Sequence, residues 1–130
     1  MTAERPFLGY VRPDGRVGVR NHVLVVPTVI CSAVVADRIA ASIAPVGASL
    51  PHLAGCGQLG PDLNVTHETL AAYCHHPNVG GVIVVALGCE QVVAQQLAES
   101  ARRDQPRNRS NDVGRCVPRL RASGRPRRRP

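Results

Sequence analysis

A chain of 130 residues with 44% hydrophobic side chains has room for one domain with an aliphatic core, while 2% aromatic residues and no Trp exclude a stacking platform for nucleic-acid bases. The net charge of +7 is unevenly spread: residues 1–100 hold 5 Arg against 7 acids, net −2, whereas residues 101–130 hold 11 Arg against 2 acids, net +9. The basic character therefore belongs to the C-terminal end, and with no Lys in the chain every cationic contact must come from Arg. Cys31, Cys56, Cys74, Cys89 and Cys116 form no CxxC pair, which argues against a zinc knuckle. No charged-then-apolar leader opens the sequence, and no apolar run approaches the ~20 residues of a membrane span. The expected setting is cytoplasmic, with no membrane partner.

In chain order, residues 1–21 read as an N-terminal arm containing an apolar patch and a Pro13-Asp14-Gly15 turn. HVLVVPTVI, from His22, is a near-continuous β-branched run of the kind that forms a strand covered on both faces. Ser32 is then placed to cap a helix over AVVADRIAASIA, with Val34, Val35, Ile39 and Ile43 as its buried stripe and Pro45 as its stop. A short extended segment from Ala48 to Leu53 leads into the glycine-rich loop GCGQLGPD.

Asp62 or Asn64 is expected to cap a second helix through THETLAAYC, which ends near the corner His75-His76-Pro77-Asn78. GVIVVAL reads as a third buried strand with helices on both faces, and Gly88-Cys89-Glu90 then opens a helix over QVVAQQLAESARR. The order β-α-β-α-β-α with right-handed crossovers predicts an α/β fold, a three-layer Rossmann-like parallel sheet that is incomplete at three strands. Residues 22–103 form this partial domain. Residues 104–130, rich in Arg, Pro, Ser and Gly, lack the apolar content to fold and are expected to be a disordered tail.

In an open parallel sheet the binding crevice lies outside the carboxyl ends of the strands. Cys31 follows the first strand, His52 and Cys56 the second, and Cys89 and Glu90 the third, so three loops distant in sequence converge on one edge. Each residue also has a plainer reading. A cysteine is commonly a small core filler, Glu90 suits the first turn of a helix, Pro77-Asn78 suits a turn, and Arg16 and Arg20 suit a solvated arm.

In these same stretches the chain resembles the altronate and galactarate dehydratases, a family that also includes a sulfolactate sulfo-lyase. The resemblance rests on Gly9-Tyr10, DGRVGVRN at 14–21, TVICS at 28–32, HLAGCG at 52–57, HPN at 76–78 and LGCE at 87–90. It implies a carbon–oxygen hydro-lyase that removes water from a sugar acid with a divalent metal, iron(II) or alternatively manganese(II). Abstracting the proton beside a carboxylate builds up negative charge that a metal or an Arg fork stabilises, and the departing hydroxyl needs a proton or a Lewis acid. On that resemblance His52, His76 and Glu90 are candidates for proton transfer or metal ligation. Arg16, Arg20, Asn21 and Asn78 are candidates for binding the substrate, and Cys31, Cys56 and Cys89 for holding iron or lining the pocket.

Members of the family continue for several hundred residues, whereas this sequence turns after LGCE and one helix into an Arg-rich, Lys-free segment that resembles out-of-frame translation of a GC-rich gene. The expectation is an inactive fragment of a dehydratase that associates with a further copy or a separate small subunit. The competing reading is a non-catalytic basic protein that holds nucleic acid through its Arg-rich end.

Overall fold

The computed structural model describes residues 9–102; the segment expected to be a disordered tail lies outside them. The arm begins with a small antiparallel hairpin, β1 (Tyr10–Val11) and β2 (Val17–Gly18). Its turn is closed by the Arg12 and Arg16 backbones, and the Arg16 guanidinium is paired with Asp14. The hairpin was not legible as strand, because two residues per strand carry no periodicity.

The core sheet is parallel, in the order β4–β3–β5: β3 is His22–Pro27, β4 is Gly47–Ser49 and β5 is Val79–Val85. Side chains alternate across a strand, so Leu24 and Val26 of β3 face one layer while Val25 faces the other. The first layer holds α2 (Pro61–Cys74) and α3 (Ala94–Arg102), which bury Leu70, Cys74, Leu97 and Ala101 against the sheet together with Val92. The opposite layer is α1 (Ala33–Ser42), reached through a tight turn over Ile30–Ser32. Three layers in β-α-β-α-β-α order, with three strands in the core sheet among the described residues, make an incomplete Rossmann-like α/β fold. No described helix is long and apolar enough to cross a membrane.

Several expectations are corrected. α1 buries Ala36 and Ala40 with Ile39 packed alongside, whereas Val34 and Val35 remain 61% and 47% exposed. The small pair at i and i+4 lets the helix approach the sheet closely, and side-chain size outweighed hydrophobicity in choosing the face. Ser32 stands at the N-cap without capping; its buried hydroxyl donates instead to the carbonyls of Val29 and Val85, pinning the end of β3 to the end of β5. α2 is entered through Gly60 and Pro61 and not through Asp62 or Asn64: proline at the first helical position has the required φ and no N–H to satisfy, and Asp62 then sits in the first turn.

The third strand is not fully covered on both faces. Val82 and Val84 join the α2–α3 core, but Ile83, aligned with fully buried Val25, is 37% exposed because α1 lies over β3 and β4 and only Val85 of β5 packs against the α1-side core. The incompleteness of the domain is thus visible as a missing part of one layer.

Candidate functional site

At the carboxyl edge of the sheet, the loops after β3, β4 and β5 are tied together by direct hydrogen bonds. His52 lies in the loop after β4. Its Nδ1 accepts the Ala54 amide at 3.2 Å, which places the ring proton on Nε2, and Nε2 donates to the Pro27 carbonyl at the end of β3 at 2.7 Å. The Ile30 amide donates back to the Ala54 carbonyl at 3.1 Å. Gly55 closes this contact: it takes φ +95°, and a Cβ there would lie 2.2 Å from the Thr28 carbonyl oxygen, so no other residue fits.

Gln58 extends the network, its Oε1 accepting the Gly55 amide and the Thr66 hydroxyl at 3.0 and 2.9 Å. Across the crevice the Gly57 amide donates to Gln91 Oε1 at 3.1 Å. Glu90 accepts the Thr28 hydroxyl at 2.6 Å and the Leu87 and Gly88 amides. The Thr28 hydrogen bond, aided by these amides, holds the Glu90 carboxyl below the usual carboxylate range, so the group is ionised at neutral pH. Cys31, Cys56 and Cys89 are exposed around these loops as free thiols.

Arg16, Arg20, Asn21, His76 and Asn78 lie at the opposite edge. Asn78 Oδ1 accepts the amides of Val19 and Arg20 at 2.9 and 3.2 Å, and its own carbonyl accepts the amide of His22 at 2.8 Å. His76 Nδ1 accepts the Asn78 amide at 3.1 Å, Arg12 Nε donates to the Pro77 carbonyl at 2.6 Å, and the Asn21 side chain packs against Gly80. These contacts dock the arm onto the amino ends of β3 and β5. Seven residues of β5 separate the two edges, about 20 Å at ~3.3 Å per residue. The structure therefore places Cys31, His52, Cys56, Cys89 and Glu90 on the loops at the carboxyl edge of the sheet, and the other candidates at its amino edge.

Among the described residues no three His, Cys, Asp or Glu side chains approach closely enough to form a metal-ligand group. Both His52 nitrogens and both Glu90 oxygens are engaged in hydrogen bonds that hold the loops. Among the described residues, the donors as placed form no metal centre.

Thr28, Gln58 and Gln91 were missed by sequence reasoning, although Thr28 lies within TVICS; their partners are remote in sequence and only the fold joins them. His67 was also missed: it falls on the stripe Leu63, His67, Leu70 and Cys74 of α2, and its Nε2 is buried without a hydrogen-bond partner among the described residues. A polar residue at a core-facing helical position was the available signal.

The architecture is that of a parallel α/β domain whose carboxyl edge is built by strand-end loops. The chain belongs to the D-galactarate dehydratase/altronate hydrolase family, and residues 9–115 match its second domain. It is 38% identical over 105 residues to altronate dehydratase of Bacillus subtilis (strain 168), a match covering 74% of this chain and 21% of that protein. It is 45% identical over 83 residues to (2R)-sulfolactate sulfo-lyase subunit beta of Chromohalobacter salexigens, covering 64% and 21%. A third relative, altronate dehydratase of Escherichia coli (strain K12), is 38% identical over 97 residues, covering 68% and 20%. The chain thus spans about a fifth of the length of the curated relatives it matches. No solved structure matches the chain significantly.

Proposed function

We propose that residues 9–102 supply one wall of the active-site crevice of a sugar-acid hydro-lyase acting on altronate, galactarate or a related aldonate or aldarate. The observation that carries this reading is the convergence of TVICS, HLAGCG and LGCE, three stretches remote in sequence, on one sheet edge through His52–Pro27, Thr28–Glu90 and Gly57–Gln91. In this wall His52 and Glu90 hold loops, and the groups left facing outward are the thiols of Cys31, Cys56 and Cys89. The described residues form no metal-ligand set, so no step is assigned to a metal here.

Dehydration needs a base beside the substrate carboxylate and a donor for the departing hydroxyl, held together to within about 1 Å. The described residues hold His52 and Glu90 in structural hydrogen bonds and keep Arg16, Arg20 and His76 at the other edge. On this reading the chain alone is inactive, and further polypeptide completes the crevice. One relative bears the name of a beta subunit, which favours a separate chain as one source of it.

Two measurements test this reading. The purified chain, with altronate or galactarate and with ferrous or manganous ion, should yield no 2-keto-3-deoxy product; turnover near that of the intact relatives overturns the inactivity. Replacing the matching segment of the Bacillus subtilis altronate dehydratase by residues 9–102 should leave a chimera that dehydrates altronate. A folded but inactive chimera overturns the assignment of the segment.

A further inference from the structure

The Glu90 carboxylate is where donors from two strand ends meet. Thr28 Oγ1 donates to Oε1 at 2.6 Å, the Gly88 amide donates to Oε2 at 2.7 Å, and the Leu87 amide lies 3.2 and 3.3 Å from the two oxygens. Gly88 takes φ +91°, a left-handed conformation that turns successive N–H groups toward one anion. Thr28 is itself fixed: it is fully buried, and its amide donates to the Val85 carbonyl at 3.0 Å.

The connection does not stop at Glu90. The next residue, Gln91, accepts the Gly57 amide at 3.1 Å, so the end of β3, the turn after β5 and the loop after β4 form one hydrogen-bonded run. Cys89 lies between Gly88 and Glu90, and Cys56 lies between Gly55 and Gly57. Glu90 thus lies in the run of hydrogen bonds that joins the two cysteine-bearing turns.

We propose that the Thr28 hydroxyl with the Leu87 and Gly88 amides forms a carboxylate cradle filled by the chain's own Glu90, and that Glu90 is thereby a positioning residue that sets the Cys89 turn and, through Gln91, the Cys56 turn. Its oxygens are engaged by donors whose hydrogen bonds are strengthened by its charge, which suits a fixed anion. The inference concerns the architecture of the crevice and stands apart from the reaction proposed for it.

The test is residue-resolved amide exchange on the full chain. In Glu90→Ala the Leu87 and Gly88 amides should exchange about tenfold faster or more, as expected when charge-assisted hydrogen bonds are lost, and the Gly57 amide should accelerate with them. Thr28→Val should produce a smaller acceleration at the same amides, and Thr28→Ser, which restores the hydroxyl, should return wild-type rates. Acetate or formate added to Glu90→Ala should slow Leu87 and Gly88 again by refilling the cradle, with no effect on the wild type.

Acceleration confined to Leu87 and Gly88 overturns the positioning role, and absence of carboxylate rescue overturns the cradle. Should Glu90→Ala lose protection at Val25 and Val26, and hence its fold, Glu90→Gln decides. It keeps the shape but replaces the anion by a weaker neutral acceptor, so Leu87 and Gly88 must still accelerate over a protected sheet; unchanged rates there refute the proposal.

Discussion

His52 and Pro27 are joined by a 2.7 Å hydrogen bond from the imidazole Nε2–H to the last carbonyl of β3, and the other ring nitrogen accepts the Ala54 amide. One imidazole thus fixes the loop after β4 to the central strand and orients its own turn. His52→Ala removes both bonds and leaves the partly buried Pro27 carbonyl and Ala54 amide without these partners. The expected cost is ~1–3 kcal/mol, from the lost bonds and the unsatisfied backbone groups. Urea unfolding would show it as a lowered midpoint, with faster exchange at Ala54; an unchanged midpoint would show the loop to be held by other contacts.

Asn78 has the corresponding task at the other edge. Its Oδ1 receives two amides of the arm, Val19 and Arg20, across 59 and 58 residues of sequence. Asn78→Ala should undock the arm while leaving the sheet intact, and Asn78→Asp, which keeps an acceptor oxygen, should largely preserve docking. Trypsin reports this directly, since Arg16 and Arg20 lie in the released segment: cleavage after them should rise about tenfold in Asn78→Ala, in line with ~1–1.5 kcal/mol for the lost hydrogen bonds. Cleavage of Asn78→Ala at the wild-type rate would mean that the Arg12–Pro77 hydrogen bond suffices for docking.

The contrast between these two residues shows what the sequence could and could not convey. The valine runs of β3 and β5 were legible because β-branching and continuous hydrophobicity report burial locally. The convergence of the loops bearing Cys31, His52, Cys56, Cys89 and Glu90 followed from topology alone. The docking role of Asn78 and the latching of Glu90 by Thr28 were not legible, because each depends on a partner some 60 residues away whose position only the folded sheet defines. The buried face of α1 was misread for a different reason: Val34 and Val35 outweigh Ala36 and Ala40 in hydrophobicity, but close packing against the sheet selected the smaller pair.

Cys74 is buried at the end of α2 against the α3 layer, and burial pushes its thiol up from 9.0 to about 11. Iodoacetamide at pH 8 should therefore modify Cys31, Cys56 and Cys89, which are exposed, well before Cys74, as read by peptide mass mapping. The same shift sets a stability trend. Between pH 9 and about 11 the unfolded chain has released this proton while the native chain retains it, so stability is fully present below that window and falls as pH rises through it. Cys74→Ala should flatten this segment of the stability–pH curve. A curve that keeps its slope in the variant would assign the trend to other groups.

Ile83 marks the place where the domain is unfinished. It is aligned with Val25 on the same face of the sheet, yet Val25 is sealed beneath α1 whereas Ile83 is 37% exposed on β5, a seven-residue edge strand of the three-stranded sheet. A strand edge with no partner among the described residues, beside exposed aliphatic surface, favours pairing with another chain. The chain should accordingly self-associate as its concentration rises, measurable by light scattering or sedimentation velocity. Ile83→Thr keeps the β-branch while lowering hydrophobicity, so it should reduce association at a cost of about 1 kcal/mol or less in a half-covered position. Ile83→Lys, which adds charge beside the open edge, should reduce association further. If both variants associate as the wild type does, the contact lies elsewhere on the molecule, and the exposed Val34 and Val35 of α1 become the next positions to substitute.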